Sequence, residues 1–234
     1  MHDESIPKTP SVSSATLSHL PRRSFLKIGG ALLATTATAL LSERAFAAAP
    51  GAGVSLGSGD VAVMNYAYVL EQLEAEFYIL VMQSPYRGMT ARERQVLTDI
   101  RDHEIAHVDF FRAALGTAGI GKLQFNWSQV NFADRASVLT TARMFEDTGV
   151  SAYNGAGQLL KDPAHLILAG KIVSVEARHA AILHDLLEPR SNRFAGPGVV
   201  DEFGLDPVAS PSEVMKKVAP FIVTPIDTRG LPKA

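Results

Sequence analysis

Two Glu-x-x-His motifs give the clearest chemical signal in the sequence. They are Glu104 with His107 and Glu176 with His179. Residues three apart on an α-helix lie on the same side of it, so the carboxylate and the imidazole of each motif can reach one ion. This set of oxygen and nitrogen ligands suits iron or manganese better than soft metals. The motifs therefore predict metal binding between two helices.

Two further glutamates belong to the same pattern, because a tyrosine follows each of them at the same distance. Tyr78 comes seven residues after Glu71, and Tyr153 comes seven residues after Glu146. In chain order, the scheme of Glu, Tyr and then Glu-x-x-His occurs twice. A single motif arises easily by chance, but this ordered repetition predicts two related helical hairpins that share one site.

The first helix offers two candidates for its metal ligand, Glu71 and Glu74. That helix is apolar almost all round, so its periodicity does not choose between the two residues. The tyrosine spacing favours Glu71. In the second half of the chain the residue that corresponds to Glu74 is Gly149, which cannot bind a metal through a side chain.

Three histidines fall outside the repeated pattern. His165 lies eleven residues before Glu176, which is about 16 Å along a helix. We therefore expect a core or surface role for His165 rather than metal binding. His103 and His184 fall on the flanks of their helices, where we expect them to be solvated.

Four long helices must position these side chains, and nothing in this part of the chain shows the alternation of half-buried strands. Thr90 and Glu93 have capping-box spacing, and Gly116 is a stop signal. Asp162 followed by Pro163 is a start signal. The predicted helices span residues 60–83, 90–115, 134–160 and 162–187.

The connections predict how these helices are arranged. Short loops make the first two helices antiparallel neighbours, and the last two likewise. About eighteen residues separate the second helix from the third, which is long enough to cross a bundle. The predicted fold class is all-α: a four-helix bundle of two antiparallel hairpins with a long crossover, followed by a Pro-rich C-terminal segment.

Buried charge is the physical reason to expect metal. Glu104 and Glu176 lie in the middle of the apolar stripes of their helices, and Glu71 and Glu146 come from the other two helices. Unpaired carboxylates in the dry centre of a bundle would cost several kcal/mol each. Two divalent cations would balance four carboxylates, so we predict a site for two metal ions, iron or manganese.

The ligand pattern and helix order of residues 60–188 resemble those of ferritin-like domain proteins, of the exported type related to desiccation-associated proteins. The segment Ala219-Pro220-Phe221-Ile222 is also typical of that group. The resemblance implies two terminal carboxylate ligands, two bridging ones, one histidine for each metal and two tyrosines that hydrogen-bond to the carboxylates. By this resemblance, Glu71 and Glu146 are the terminal carboxylate ligands, and Glu104 and Glu176 are the bridging ones. His107 and His179 each bind one metal, and Tyr78 and Tyr153 hydrogen-bond to the carboxylates.

The resemblance also implies activity on O2, peroxide or Fe(II), by an oxidoreductase of ferroxidase or manganese-catalase type that protects against oxidative or desiccation stress. The chain has no cysteine, which excludes disulfides, a thiol nucleophile and a thiolate electron-transfer module. Two other hypotheses stay open. One is a metal-binding, stress-protective structural protein without turnover, and the other is a metal-free bundle that retains the ligand residues.

The N-terminal segment predicts export. Arg22 and Arg23 stand before a mildly apolar run, and Ala45-Phe46-Ala47 has the pattern that a signal peptidase reads. Residues 1–47 resemble a twin-arginine signal peptide, which implies the twin-arginine translocon as a partner and a periplasmic or secreted mature protein. The apolar run is too short for a membrane span. A net charge of −2 offers no basic surface for nucleic acid.

These signals divide the chain into three parts: a signal peptide at 1–47, the bundle at 48–188 and a Pro/Gly-rich extension at 189–234. The extension contains one short helical candidate, Ser212 to Val218, with Ser212 as its cap. Apolar residues such as Phe203 and Phe221 predict that the extension packs as an ordered wrap. A homo-oligomer is compatible with these features, and they do not specify one.

Overall fold

The computed structural model describes residues 53–233, so the predicted signal peptide at residues 1–47 lies outside it. Helices dominate the described part of the chain. The elements are β1 (Val54–Ser55), α1 (Gly59–Gln83), α2 (Ala91–Leu115), α3 (Arg135–Gly157), α4 (Pro163–Leu187), α5 (Pro211–Val218) and β2 (Ile226–Asp227). Within residues 53–233, no helix is both long and apolar enough to cross a membrane.

Helix α2 begins and ends, and α4 begins, at the residues that carry the sequence signals. The Thr90 hydroxyl accepts a hydrogen bond from the Glu93 N–H, and the Glu93 carboxylate accepts one from the Thr90 N–H. Asp162 caps α4, and Pro163 occupies its first position, where a missing N–H does no harm. Gly116 follows the last residue of α2 at a φ of 52°, a left-handed value that glycine adopts without strain.

The four long helices form the predicted bundle. α1 packs mainly against α2, α3 packs mainly against α4, and α1 meets α3 across the centre. Residues 116–134 cross from one hairpin to the other, and buried polar side chains of α1 hold this crossover. Asn65 accepts a hydrogen bond from the Ile120 N–H at 2.9 Å. Gln72 accepts one from the Leu123 N–H at 3.0 Å. The all-α four-helix fold class is therefore confirmed.

The C-terminal segment packs α5 against α3. Its predicted start and cap at Ser212 are wrong, because α5 begins at Pro211 and Ser210 is the cap. The Ser210 hydroxyl accepts from the Glu213 N–H, and the Glu213 carboxylate accepts from the Ser210 N–H. This reciprocal capping box stabilises the helix start and places the cap two residues before the predicted one.

Three further differences concern ends and loops. α3 ends at Gly157 rather than 160, because the chain then turns so that the Lys161 and Asp162 N–H groups both donate to the Asp60 carboxylate. Phe203 is 79% exposed rather than packed, and it lies in a loop held by local turns. β1 and β2 form a parallel pair of two residues each, which is too short to leave a pattern in the sequence.

Candidate metal centre

The bundle centre brings together all six residues that the sequence predicts as metal ligands. They form two groups in which every member offers a ligand atom within 4.8 Å of the others. The first group is Glu71, Glu104, His107 and Glu176, and the second is Glu104, Glu146, Glu176 and His179. The four carboxylates are 0% exposed. Buried groups of this composition could bind metal ions.

Glu104 and Glu176 belong to both groups. Both side chains are fully buried, yet none of their carboxylate oxygens makes a hydrogen bond within residues 53–233. The Nδ1 atoms of His107 and His179 approach these oxygens at 3.0 to 3.5 Å, and a buried carboxylate that makes no hydrogen bond is unfavourable. Cations bound between these side chains would satisfy the oxygens. The residues present therefore fit a metal centre in which Glu104 and Glu176 are shared between neighbouring positions.

Both histidines direct Nδ1 towards the carboxylates. His107 Nδ1 lies 3.1 Å from Glu71 Oε2, and His179 Nδ1 lies 3.3 Å from Glu146 Oε2. Each Nδ1 also lies 3.0 Å from an oxygen of one shared carboxylate and at 3.4 or 3.5 Å from an oxygen of the other. Each imidazole therefore faces one carboxylate of its own and both shared ones.

The two tyrosines hydrogen-bond to glutamates of the opposite hairpin. The Tyr78 hydroxyl of α1 donates to Glu146 Oε1 of α3 at 2.6 Å, and the Tyr153 hydroxyl of α3 donates to Glu71 Oε1 of α1. The sequence repeat marks the tyrosines as partners of carboxylates. It does not show that the pairs cross between α1 and α3, which brings the two hairpins together at the site.

Crowded carboxylates shift the pKa values in the metal-free site. Burial raises the pKa of both Glu104 and Glu146 to about 7. Burial opposes protonation of His179, but the carboxylates of Glu146 and Glu104 outweigh it and raise the pKa of His179 to about 12. Protons therefore balance much of the charge in the metal-free site, and metal binding must release them.

A fifth glutamate, Glu74, is buried beside the two groups but belongs to neither. A Cβ at position 149 would lie 3.3 Å from Glu74 Oε1, so Gly149 makes room for this carboxylate. Burial, together with the charge of Glu146, raises the pKa of Glu74 well above its usual range. Of the two candidates on α1, the structure places Glu71 in the first group.

His103 is exposed, as expected, but it also contacts the site. Its Nδ1 lies 2.9 Å from His179 Nε2, and the two rings stack at a centroid distance of 5.2 Å. The hydrogen bond occupies the outer nitrogen of His179 and so orients its inner nitrogen towards the carboxylates. Sequence reasoning missed this contact because His103 and His179 lie on different helices.

The expectation that His184 is solvated is wrong. His184 is 7% exposed, because it packs towards α3, where its Nε2 lies 2.9 Å from Asp147 Oδ1. His165 is half-buried, and its Nδ1 lies 2.8 Å from Asp60 Oδ2 near the start of α1. Neither histidine is a member of the two ligand groups. Their partners come from other helices, so helical periodicity alone did not reveal them.

Fold and site together define a class of protein: an all-α four-helix bundle whose buried glutamates and histidines could bind metal. The sequence matches the ferritin-like domain family over residues 59–189, a range that contains all four long helices. The chain belongs to the ferritin-like domain family. A search of curated proteins finds no match.

Proposed function

We propose that the protein binds two iron or manganese ions at this centre and acts as an oxidoreductase on O2, peroxide or Fe(II). The sharing of Glu104 and Glu176 between two ligand groups carries the proposal, since two neighbouring ions need bridging carboxylates. Membership of the ferritin-like domain family supports it. When bound, the metal pair would supply the capacity to exchange electrons with the oxidant.

The protein's own residues would hold and shape the centre. Glu71 and Glu146 would each bind at one end, with their orientation set by the hydroxyls of Tyr153 and Tyr78. His107 and His179 would each serve one position. The apolar residues around the site would exclude bulk water and so strengthen these interactions.

The chain has no cysteine for a thiolate electron carrier, so turnover would depend on an external reductant or on the metal ion itself as the substrate. In a ferroxidase reaction, each Fe(II) ion gives one electron, and two such ions reduce one peroxide, with two protons, to two waters. In a manganese-catalase reaction, one peroxide is oxidised while another is reduced, so no outside reductant is needed. Both reactions are compatible with the proposed ligand set.

We also propose that the mature protein acts outside the inner membrane, in the periplasm or as a secreted protein, and protects against oxidative or desiccation stress. The Arg22-Arg23 motif and the Ala45-Phe46-Ala47 segment support export through the twin-arginine translocon. Detection of the processed chain in the periplasm or medium, and its loss when both arginines become lysine, would test this. Unchanged export of the double-lysine variant would contradict it.

Elemental analysis of protein purified without chelator tests metal binding, and anomalous diffraction at the iron and manganese edges locates the ions. We expect two ions between the ligand groups. Fe(II) oxidation and peroxide decay are then measured on the loaded protein, beside free metal. Glu104→Ala should abolish any excess rate, while Glu202→Ala, an exposed loop glutamate, should not change it.

The outcomes separate the proposed function from its alternative. Bound metal with neither rate above that of free metal would contradict the enzyme and leave a metal-binding, stress-protective structural protein. Protein that binds no iron or manganese under any loading condition would contradict both.

A further inference from the structure

An apolar cavity of about 30 Å³ lies between the four long helices, next to the ligand groups. Leu70, which precedes Glu71, and Tyr153, which donates to Glu71, both line it. Along α1 the lining continues back to Val63, seven residues or about 10 Å from Leu70. The cavity therefore extends from the Tyr153 side of the site towards the end of the bundle.

The matching positions on the other side of the site are filled by aromatic rings, although the two hairpins repeat the same scheme. Phe77 precedes Tyr78 and packs its ring against Trp127, Phe132 and Phe145. The matching residue before Tyr153 is Ala152, which lines the cavity. One half of the repeat is thus filled by aromatic rings where the other half has a methyl group.

Two more positions repeat this difference in size. Phe145 precedes Glu146, whereas the matching residue before Glu71 is the smaller Leu70. Three residues beyond Tyr78 the sequence has Val81, and three residues beyond Tyr153 it has Ala156, another lining residue. Smaller side chains at successive matching positions account for the cavity on the Tyr153 side.

The walls suit a small apolar guest better than water. A buried water needs two to four polar partners and about 10–15 Å³ of accessible volume, so the cavity is large enough but poor in partners. Within it, the Tyr153 hydroxyl is already bonded to Glu71, and Nδ1 of His165 is already paired with Asp60. Tyr66 also lines the cavity, and its hydroxyl has no hydrogen-bond partner within residues 53–233. The walls are otherwise apolar, so they offer a water molecule little hydrogen bonding.

We propose that this cavity binds O2 and admits it to the Tyr153 side of the metal centre. The volume allows a guest of about two heavy atoms, and the apolar walls favour a nonpolar diatomic gas over peroxide, which would lose its hydrogen bonds to water. The link to the centre rests on the proposed function. Gas binding in the cavity does not depend on the proposed function, because it requires only the apolar walls.

Xenon binding tests the cavity in metal-free protein. Crystals of the full chain under xenon pressure should show one xenon atom among Leu70, Ala152 and Ala156. Ala152→Phe, which copies the filled half, should remove it, and Ala156→Val, which copies Val81, should reduce it. Ala113→Phe adds the same ring at an exposed position of α2 and should leave xenon in place. Absence of xenon from the wild-type cavity would overturn the proposal.

Oxidation rates in the iron-loaded protein test the route to the centre. Ala152→Phe and Ala156→Val should raise the KM for O2 several-fold and leave Fe(II) oxidation by peroxide unchanged. Ala113→Phe should change neither. Suppose that the wild-type protein oxidises Fe(II). If both cavity variants then keep the wild-type KM for O2, or lose activity equally with both oxidants, the O2 route is wrong and the proposed function stands. If the wild-type protein binds xenon but neither oxidises Fe(II) nor decomposes peroxide above the rate of free metal, the proposed function fails and gas binding by the cavity stands.

Discussion

At the scale of single residues, Glu71 and Glu146 each have their two carboxylate oxygens assigned to different partners. Glu71 accepts a hydrogen bond from Tyr153 on Oε1, while Oε2 lies beside His107 Nδ1. Glu146 has the same arrangement, because Oε1 accepts a hydrogen bond from Tyr78 and Oε2 lies beside His179 Nδ1. One oxygen is therefore held in place and the other faces the position where a metal ion would bind.

Removing one of these tyrosine hydroxyls should weaken metal binding. Tyr153→Phe leaves Glu71 without its donor, so we expect an affinity for Fe(II) or Mn(II) about 10- to 100-fold lower, as for other hydrogen bonds that orient metal ligands. Competition with a coloured chelator measures it. Tyr66→Phe is the matched control, because that hydroxyl has no partner within residues 53–233. Equal affinities for Tyr153→Phe and wild type would contradict the proposed role.

The stability of the metal-free protein should fall as pH rises from 4.5 to about 7. Burial raises the pKa values of Glu104 and Glu146 from 4.5 to about 7 in the folded state, so over this range the folded chain holds protons that the unfolded chain has lost. The raised pKa of His179 continues the fall, since its contribution is present below pH 6.5 and declines up to about 12.

Urea unfolding of chelator-treated protein across this pH range measures the effect. Glu104→Gln removes one of the titrating carboxylates and should make the slope shallower. A free energy of unfolding that rises with pH between 4.5 and about 7 would contradict this interpretation.

At the scale of elements, one glycine decides how the C-terminal segment meets the bundle. A Cβ at position 155 would lie 1.8 Å from the Ala209 carbonyl oxygen, so only glycine allows this approach. The adjacent Ala209 N–H donates to the Ser151 carbonyl of α3 at 3.0 Å. Gly155 therefore marks a close contact between α3 and the C-terminal segment.

Gly155→Ala should displace the segment that leads into α5. The overlap with Ala209 cannot be relieved by a side-chain rotation, so we expect a loss of about 1–3 kcal/mol in the free energy of unfolding. Trypsin cleavage at Lys216 and Lys217 in α5 should also become faster. Gly170→Ala in α4 is the control, because its Cβ would meet nothing within 4 Å. That change should stabilise the helix by about 0.5–1 kcal/mol. Similar effects of the two substitutions would contradict the close contact.

At the scale of the whole molecule, the site lies where the two hairpins meet. Its side chains come from α1, α2, α3 and α4, so any ion bound there links both halves of the bundle. Without a cation, the carboxylates of the site repel one another, and protons and the histidines balance only part of their charge. The stability of the bundle and the occupancy of the site should therefore depend on each other.

Metal should raise the melting temperature of the protein, and chelator should lower it. A ligand that binds only the folded state at about 100 times its Kd adds about 2.7 kcal/mol to the free energy of unfolding. Thermal melts with and without Mn(II), which avoids oxidation during the scan, measure the shift. The double variant Glu104→Gln and Glu176→Gln should lose it. An equal shift in the double variant would place the metal elsewhere.

The side chains of the two ligand groups could be predicted from the sequence because the signal is local, except that Glu74 stayed open beside Glu71 on the almost wholly apolar first helix. Spacing within one helix determines which residues share a face, and the apolar stripe determines which face is buried. Their role as metal ligands stays a prediction. Contacts of His103, His184 and Glu74 could not be predicted in this way, because each depends on what another helix presents. Gly149 makes room for Glu74 only once α1 and α3 are packed.

The sequence by itself determined the four helices, the starts of α2 and α4 and the hairpin repeat, and it predicted the chemistry, since all of these follow from residue types at fixed spacing along the chain. Tertiary structure alone decided the crossed tyrosine pairs, the sharing of Glu104 and Glu176 and the cavity beside Ala152. Periodicity specifies the direction of a side chain around its own helix axis. Which atoms it then meets depends on the separation and rotation of neighbouring helices, and the packing of the whole bundle determines both.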